Sequence, residues 1–287
     1  MSVLELRRVS SVRRQKHALD QVSFKVEKGQ LSLLLSDSPA TRREIALIFA
    51  GLCRPTDGTA LLSMRNAWTV EKVSQRATGY VIPGLTYEED LSLQETVDLE
   101  RSLRHLPARE KPLAWASLDL NPEQLVKDLD ADAFARFQLL LAHDHRPTTY
   151  ILTDLYTRTD AVHHSAISEF IAARIGEGNT ILILDTQWSP SLTQVDLLQV
   201  IKDGKLLLDA ETHGATEHLP VVPGINLLAD DLDPEFYARC LAYQHETSRE
   251  SMQYLPGEGP RPEREEPQDL PDPLQERLKG TRGKIKR

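Results

Sequence analysis

Hydrophobic positions along the chain follow two periods, and the switches between them outline the elements. Residues 3–9 (VLELRRV) and 21–27 (QVSFKVE) place apolar side chains at alternate positions, the pattern of strands with one buried face. After Gly29, residues 31–35 (LSLLL) form a short apolar run that fits a buried strand. A loop of small polar residues, Ser36–Thr41, separates it from the helical stretch RREIALIFAGL, which ends at Leu52. Strand, loop and helix in that order frame a phosphate-binding unit. Pro55-Thr56-Asp57-Gly58 predicts a turn and residues 78–82 (TGYVI) a strand. Residues 91–105 and 123–143 carry helical patterning, with Pro107 and Pro112 breaking the chain between them. The apolar runs 148–152 (TTYIL) and 179–184 (NTILIL) predict buried strands on either side of a helix over about 160–175. Residues 197–201 (LLQVI) and 205–208 (KLLL) flank Asp203-Gly204, a hairpin signal. Strands alternating with helices predict an α/β fold with a largely parallel core sheet.

The character changes after residue 222. Residues 234–246 (PEFYARCLAYQHE) fit one amphipathic helix. From Leu255 onward proline, glycine and charge dominate, ending in the basic GTRGKIKR, and such a segment buries too little apolar surface to fold alone. The expected organisation is a main domain over 1–221, a helical extension over 222–254 and a disordered tail over 255–287.

Composition narrows the function classes. With 40% hydrophobic and 27% charged residues, the 287-residue chain has an ordinary globular composition. A net charge of −9 argues against a broad nucleic-acid surface. Its two cysteines, Cys53 and Cys240, form no metal spacing or disulfide framework, which fits a reducing cytoplasm. Met1–Arg14 lacks the apolar core of a signal peptide, and no run approaches the ~20 apolar residues of a membrane helix. Direct membrane insertion is therefore not expected, and service to a membrane would run through a partner. No metal site is expected either. The adjacent His163 and His164 diverge by ~100° on a helix and read as a solvated face. His143, Asp144 and His145 lie in a turn before Pro147 without a fixed set of further ligands. Ser189-Pro190-Ser191 reads as a turn, because the strained glycine setting of a nucleophile elbow is missing.

Five stretches, in order and spacing, resemble the ATP-binding-cassette (ABC) ATPases from about Leu4 to Leu208. VSSVRRQKHALDQVSFKVEKGQ is similar to that family's opening sheet, and IALIFAGLCRPTDG to the helix after its phosphate loop. GYVIPGLTYEEDLSLQETV resembles the glutamine-loop region and the start of the helical subdomain. HRPTTYILTDLYTRTDA resembles the Walker B strand and D-loop, and DLLQVIKDGKLL the closing hairpin. The resemblance implies the ABC nucleotide-binding fold: a mostly parallel core sheet with flanking helices, an antiparallel β subdomain and a small helical subdomain over about 86–146.

At the positions that carry the family's chemistry the residues differ. The phosphate loop GxxxxGK[ST] uses glycine N–H groups, a lysine and a magnesium-binding hydroxyl. Here it reads Ser36-Asp37-Ser38-Pro39-Ala40-Thr41-Arg42-Arg43. Ser36 and Thr41 stand at the framing glycines, and Pro39, at another, has no N–H to give. Arg42 keeps the lysine's charge in a planar, bulkier head, and Arg43 removes the hydroxyl. Pro83 stands at the glutamine, Thr153 at the Walker B aspartate and Thr186 at the switch histidine. Asp154, at the catalytic glutamate, is the surviving candidate base, and Asp160 matches the D-loop aspartate, with helix capping as its simpler role. The adenine-stacking aromatic would fall near Val12 or Arg13.

The signature LSGGQ, which caps the γ-phosphate of ATP bound to the opposite subunit, corresponds to Leu129-Asp130-Ala131-Asp132-Ala133. Two carboxylates there are expected to repel phosphate, by roughly 4 kcal/mol per charge pair at ~4 Å and a dielectric of 20.

Several such losses in one site imply a non-catalytic ABC-type subunit with no expected cofactor. It would serve as a structural or regulatory partner of an ABC-type ATPase, a membrane permease or an assembly complex, as a homo- or heterodimer. The implied location is the cytoplasm, peripheral to the inner membrane through that partner. Two alternatives stand beside it. One is a nucleotide or anion sensor that binds without hydrolysis, since a helix N-terminus with Arg42 and Arg43 still favours weak ATP or phosphate contact. The other is a divergent active transporter ATPase that uses Asp154.

Overall fold

The computed structural model describes residues 2–13, 16–69, 77–107, 113–186 and 188–212 apart from 190 and 193; the expected extension 222–254 and tail 255–287 lie outside the described residues. Within them lie two sheets.

The first sheet is antiparallel. β1 (Ser2–Arg13) pairs with β2 (Lys16–Glu27) and β4 (Asp57–Leu62), and β4 with the short β5 (Arg65–Asn66), in the order β2-β1-β4-β5. Both long strands reach beyond their alternating stretches. Asp57 and Gly58, expected in a turn, instead begin β4. The backbone of Arg7 and Arg8 passes so close to Gly58 that an added Cβ would lie 2.2 Å from the Arg8 carbonyl oxygen, and Gly58 has φ +79°. Gly58→Ala is expected to cost about 1–3 kcal/mol through this clash and the left-handed backbone, read as a lowered denaturation midpoint.

The second sheet has the order β10-β9-β3-β8-β7-β6. It is built from β3 (Leu31–Ser36), β6 (Thr78–Val81), β7 (Thr149–Thr153), β8 (Thr180–Asp185), β9 (Leu197–Lys202) and β10 (Lys205–Glu211). Its five strands from β9 to β6 run parallel, and only β10 is antiparallel, joined to β9 through Asp203-Gly204. Every residue of β3, β7 and β8 is buried, the reason these segments read as continuous apolar runs. Their side chains alternate between two cores. Leu33, Leu35, Tyr150, Leu152, Ile181 and Ile183 face one, and Leu34, Ile151, Leu182 and Leu184 the other.

Five α-helices complete the described fold: α1 (Pro39–Phe49), α2 (Leu93–Leu103), α3 (Ala131–Asp144), the single turn α4 (Leu155–Arg158) and α5 (His164–Gly176). α1 packs Ile45, Ala46, Ile48 and Phe49 into the core shared with the antiparallel sheet. α2 begins with a full capping box, Ser92 and Glu95 each bonding the other's backbone N–H. The helix expected over 123–143 starts only at Ala131, because Asp130 caps it by accepting from the Ala133 N–H at 2.7 Å. The segment before it makes a 3-10 turn over Val126–Asp128 instead. The helix expected over 160–175 likewise opens with a 3-10 turn, Ala161–His163.

Candidate functional site

The carboxyl ends of β3, β7 and β8 lie side by side in the parallel register, so Ser36, Thr153-Asp154 and Thr186 converge at one edge of the sheet. α1 starts there too. At this edge the expected residues are engaged with one another.

Arg42 is 2% exposed. Its Nε donates to Asp154 Oδ1, and its Nη1 donates to the Ser36 carbonyl oxygen. The Asp154 backbone takes a left-handed conformation (φ 55°), and its N–H donates to Leu184 O at 2.8 Å. The two charged residues most suited to phosphate and to base chemistry thus neutralise each other in the interior. Arg43 turns away, its Nε donating to the Pro83 carbonyl at 3.1 Å. That contact ties two further chemical positions together.

Three backbone donors of the loop, at Ser38, Thr41 and Arg42, are also used. The Ser38 N–H points to Ser36 Oγ at 3.3 Å. Ser38 caps α1 by accepting from the Thr41 N–H at 3.2 Å, and its carbonyl takes the Arg42 N–H at 3.2 Å. Pro39 at the first helical position has none to offer. Thr41 spends its hydroxyl on Ala18 O at 3.0 Å. Thr153 is fully buried, and its Oγ1 has no partner among the described residues.

Asp185, just before Thr186, was not singled out by sequence. It accepts from the N–H groups of Thr186 and Tyr156, both at 2.8 Å, and from the Thr157 hydroxyl, anchoring α4 against β8. Burial pushes its carboxyl above the usual range against those hydrogen bonds, and the charge of Asp154 adds to the rise. The sequence signal was present: an aspartate closing the buried run ILIL.

The signature segment differs from expectation. Asp132 does not project toward a facing phosphate; it is buried and accepts from Arg136 Nε at 3.0 Å and Nη2 at 2.6 Å. Arg136 in turn donates to the carbonyls of Leu118 and Asp119. Asp132 also accepts the Asp160 N–H at 2.8 Å and lies 3.1 Å from His163 Nδ1. With Asp132 compensated and Asp130 serving as a cap, the repulsion expected from two carboxylates falls to the exposed Asp130. Asp160 is exposed and its side chain makes no capping bond, so the capping role is replaced by its backbone contact to Asp132. Ala131 is exposed beside them.

The paired histidines are not a solvated face either. His163 meets Asp132, and His164 contacts Tyr156 O and Thr159 O, both at 3.1 Å, and Ser189 Oγ at 3.1 Å. His143 lies in the last helical turn of α3 rather than in the expected turn, while His145, the residue after the end of α3, lies in the turn as expected. His143 lies between Tyr150 Oη and Arg174, and His145 reaches Thr78 O at 3.3 Å. Trp188 packs half-buried against the core, and Val12 is 39% exposed on β1.

Burial, reinforced by Arg174, Arg146 and His145, lowers the His143 imidazole to about 4. Burial, with Arg104 next, lowers His145 to about 4. Both rings stay neutral in the folded chain where the unfolded chain, titrating near 6.5, takes up protons. Their stabilisation is complete above about pH 6.5 and is lost as pH falls toward about 4. Allowing for partial exposure, the loss is on the order of 1–2 kcal/mol per ring. Thermal denaturation as a function of pH is expected to show it, and the double variant His143→Gln/His145→Gln to flatten it.

No family model matches the chain. An ATP-binding protein named for ribose/galactose/methyl galactoside import, from Agrobacterium fabrum, is 21% identical over 229 residues, 75% of this chain and 45% of that protein. The Nod factor export ATP-binding protein I of Sinorhizobium fredii is 23% identical over 216 residues, 73% of this chain and 63% of that protein. The chain therefore matches about half to two thirds of the length of these relatives. Among solved structures, the ATP-binding subunit of an ABC transporter superimposes with a TM-score of 0.65 at 17% identity, over 74% of this chain and 90% of that one. No helix among the described residues is long and apolar enough to cross a membrane. The parallel sheet with its antiparallel companion is the fold of ABC-transporter ATP-binding subunits, and over about three quarters of its length the chain is similar to ATP-binding proteins named for import and export.

Proposed function

We propose that the chain is a cassette subunit of a membrane transport assembly whose own nucleotide site does not turn over. The buried Arg42–Asp154 pair carries this reading, because it fills the place of phosphate and base with an internal ion pair. The residues present do not fit magnesium–nucleotide. Magnesium needs an octahedral set of oxygens, with one or two carboxylates from protein. Thr153 supplies no carboxylate, and that of Asp154 is held by Arg42. Among the described residues no group of three or more His, Cys, Asp or Glu side chains is placed to hold a metal ion.

The cassette's contribution is then its surfaces. The segment Asp160–Val162 is exposed, Val162 at 78%, and this supports contact with a second cassette, either a copy of this chain or an active ABC-type ATPase. The helical subdomain faces a permease or assembly complex in this reading, and the protein stays peripheral to the inner membrane, on its cytoplasmic side.

A second reading, a divergent active ATPase, is favoured by the relatives, all named as ATP-binding proteins. It requires Asp154 to leave Arg42 and act as base. Phosphate release from ATP by the purified full chain separates the two. No magnesium-dependent release is expected; turnover abolished by Asp154→Asn would establish the second reading instead.

A further inference from the structure

The strands that bring Ser36 and Asp154 to one edge begin at the opposite edge, and there a cavity of about 420 Å³ opens at the amino end of β7. That volume lies in the range of small-molecule pockets. It is lined by Tyr150 of β7, by His143 from the last turn of α3, by Arg174 from the last turn of α5, and by Arg146.

A chain of hydrogen bonds fixes which protons face it. Arg174 Nη1 can only donate, so His143 Nε2, 2.8 Å away, accepts. The neutral ring then carries its proton on Nδ1 and donates it to Tyr150 Oη at 2.7 Å. Tyr150 is 1% exposed, and burial pushes its phenol upward, so the hydroxyl stays protonated with its own hydrogen still to place. Among the described residues that hydrogen has no acceptor. Arg174 Nε is likewise buried without a partner. The Tyr150 hydroxyl is thus a donor lacking an acceptor beside the cavity, where a buried donor left unpaired is costly, while Arg174 Nε is closed off and brings its guanidinium charge to the lining. The acidic groups in the lining are already engaged: Asp144 with Arg101 at 2.7 Å, Glu177 with Arg174 at 2.9 Å.

We propose that this cavity binds a small carboxylate- or phosphate-bearing metabolite, whose oxygens accept from Tyr150 Oη and the Arg174 guanidinium. The site is separate from the phosphate-loop edge and does not depend on the reading of that edge.

Calorimetric titration of the full chain with citrate, and separately with inorganic phosphate, tests it. Binding of at least one probe is expected, citrate indicating a carboxylate ligand and phosphate a phosphorylated one. Tyr150→Phe, which removes only the hydroxyl, is expected to weaken binding about tenfold, the effect of one hydrogen bond to a charged group. Arg174→Lys, which replaces the planar guanidinium and keeps the charge, provides the same reading should the first variant fold poorly. Binding of neither probe would leave the Tyr150 hydroxyl to water, and binding unchanged in both variants would place the anion elsewhere; either result overturns the proposal.

Discussion

Asp154→Ala is expected to destabilise the cassette by about 3–5 kcal/mol, because it strands the Arg42 guanidinium in the interior without its anion. For a domain of this size that is a fall in denaturation midpoint on the order of 10 °C. Arg42 and Asp154 side chains are 3% and 11% exposed, so water does little to relieve the unpaired charge. The double variant Arg42→Met/Asp154→Leu is expected to recover most of the loss, since a buried ion pair replaced by apolar groups of similar volume is often close to neutral. A site built to receive phosphate would behave otherwise. Its cation would be held in reserve for the ligand, and removing the carboxylate would change the ligand-free stability little. A midpoint within a degree or two of the parent for Asp154→Ala would therefore contradict a structural role for the pair.

The second large effect is expected at Asp132. Its carboxylate is 9% exposed and compensates Arg136, whose side chain is 7% exposed. Asp132→Ala removes the partner of that buried cation and leaves the Asp160 N–H and His163 without their acceptor. The cost is again about 3–5 kcal/mol. It is also expected to loosen the 160–163 segment, which hydrogen exchange would read as lost protection at the Asp160 amide. Asp130→Ala, by contrast, removes only a helix cap and is expected to cost about 1 kcal/mol. Equal midpoints for the two variants would show that Asp132 is not a packing hub.

The strands of the core were legible because burial on both faces leaves no room for polar residues; LSLLL, TTYIL and NTILIL carry that constraint directly. The cassette order was legible for the same reason. The start of α3 was not, because Leu125–Leu129 has helical composition while the cap that ends the preceding loop is set by Asp130. At the candidate site, the residue types at the chemical positions could be read, but not what those residues do together. Arg42 and Asp154 stand 112 positions apart, and nothing local signals that their charges meet. Asp132 and Arg136 are the counterexample. Their i,i+4 spacing on one helix face is a pairing signal, and it was overlooked in favour of repulsion between Asp130 and Asp132. Asp185 was passed over because its acceptor role depends on α4, a single turn too short to show a period.

The most direct test of the central claim, that the phosphate-loop edge is closed by its own side chains, is calorimetric titration of the purified full chain with ATP, with and without magnesium, up to millimolar nucleotide. The Arg42–Asp154 pair and the engaged N–H groups of Ser38, Thr41 and Arg42 predict no binding in either condition. Tight binding that is independent of magnesium and lost in Arg42→Ala would contradict the claim and make the chain a nucleotide sensor, while magnesium-dependent binding would open the site to catalysis.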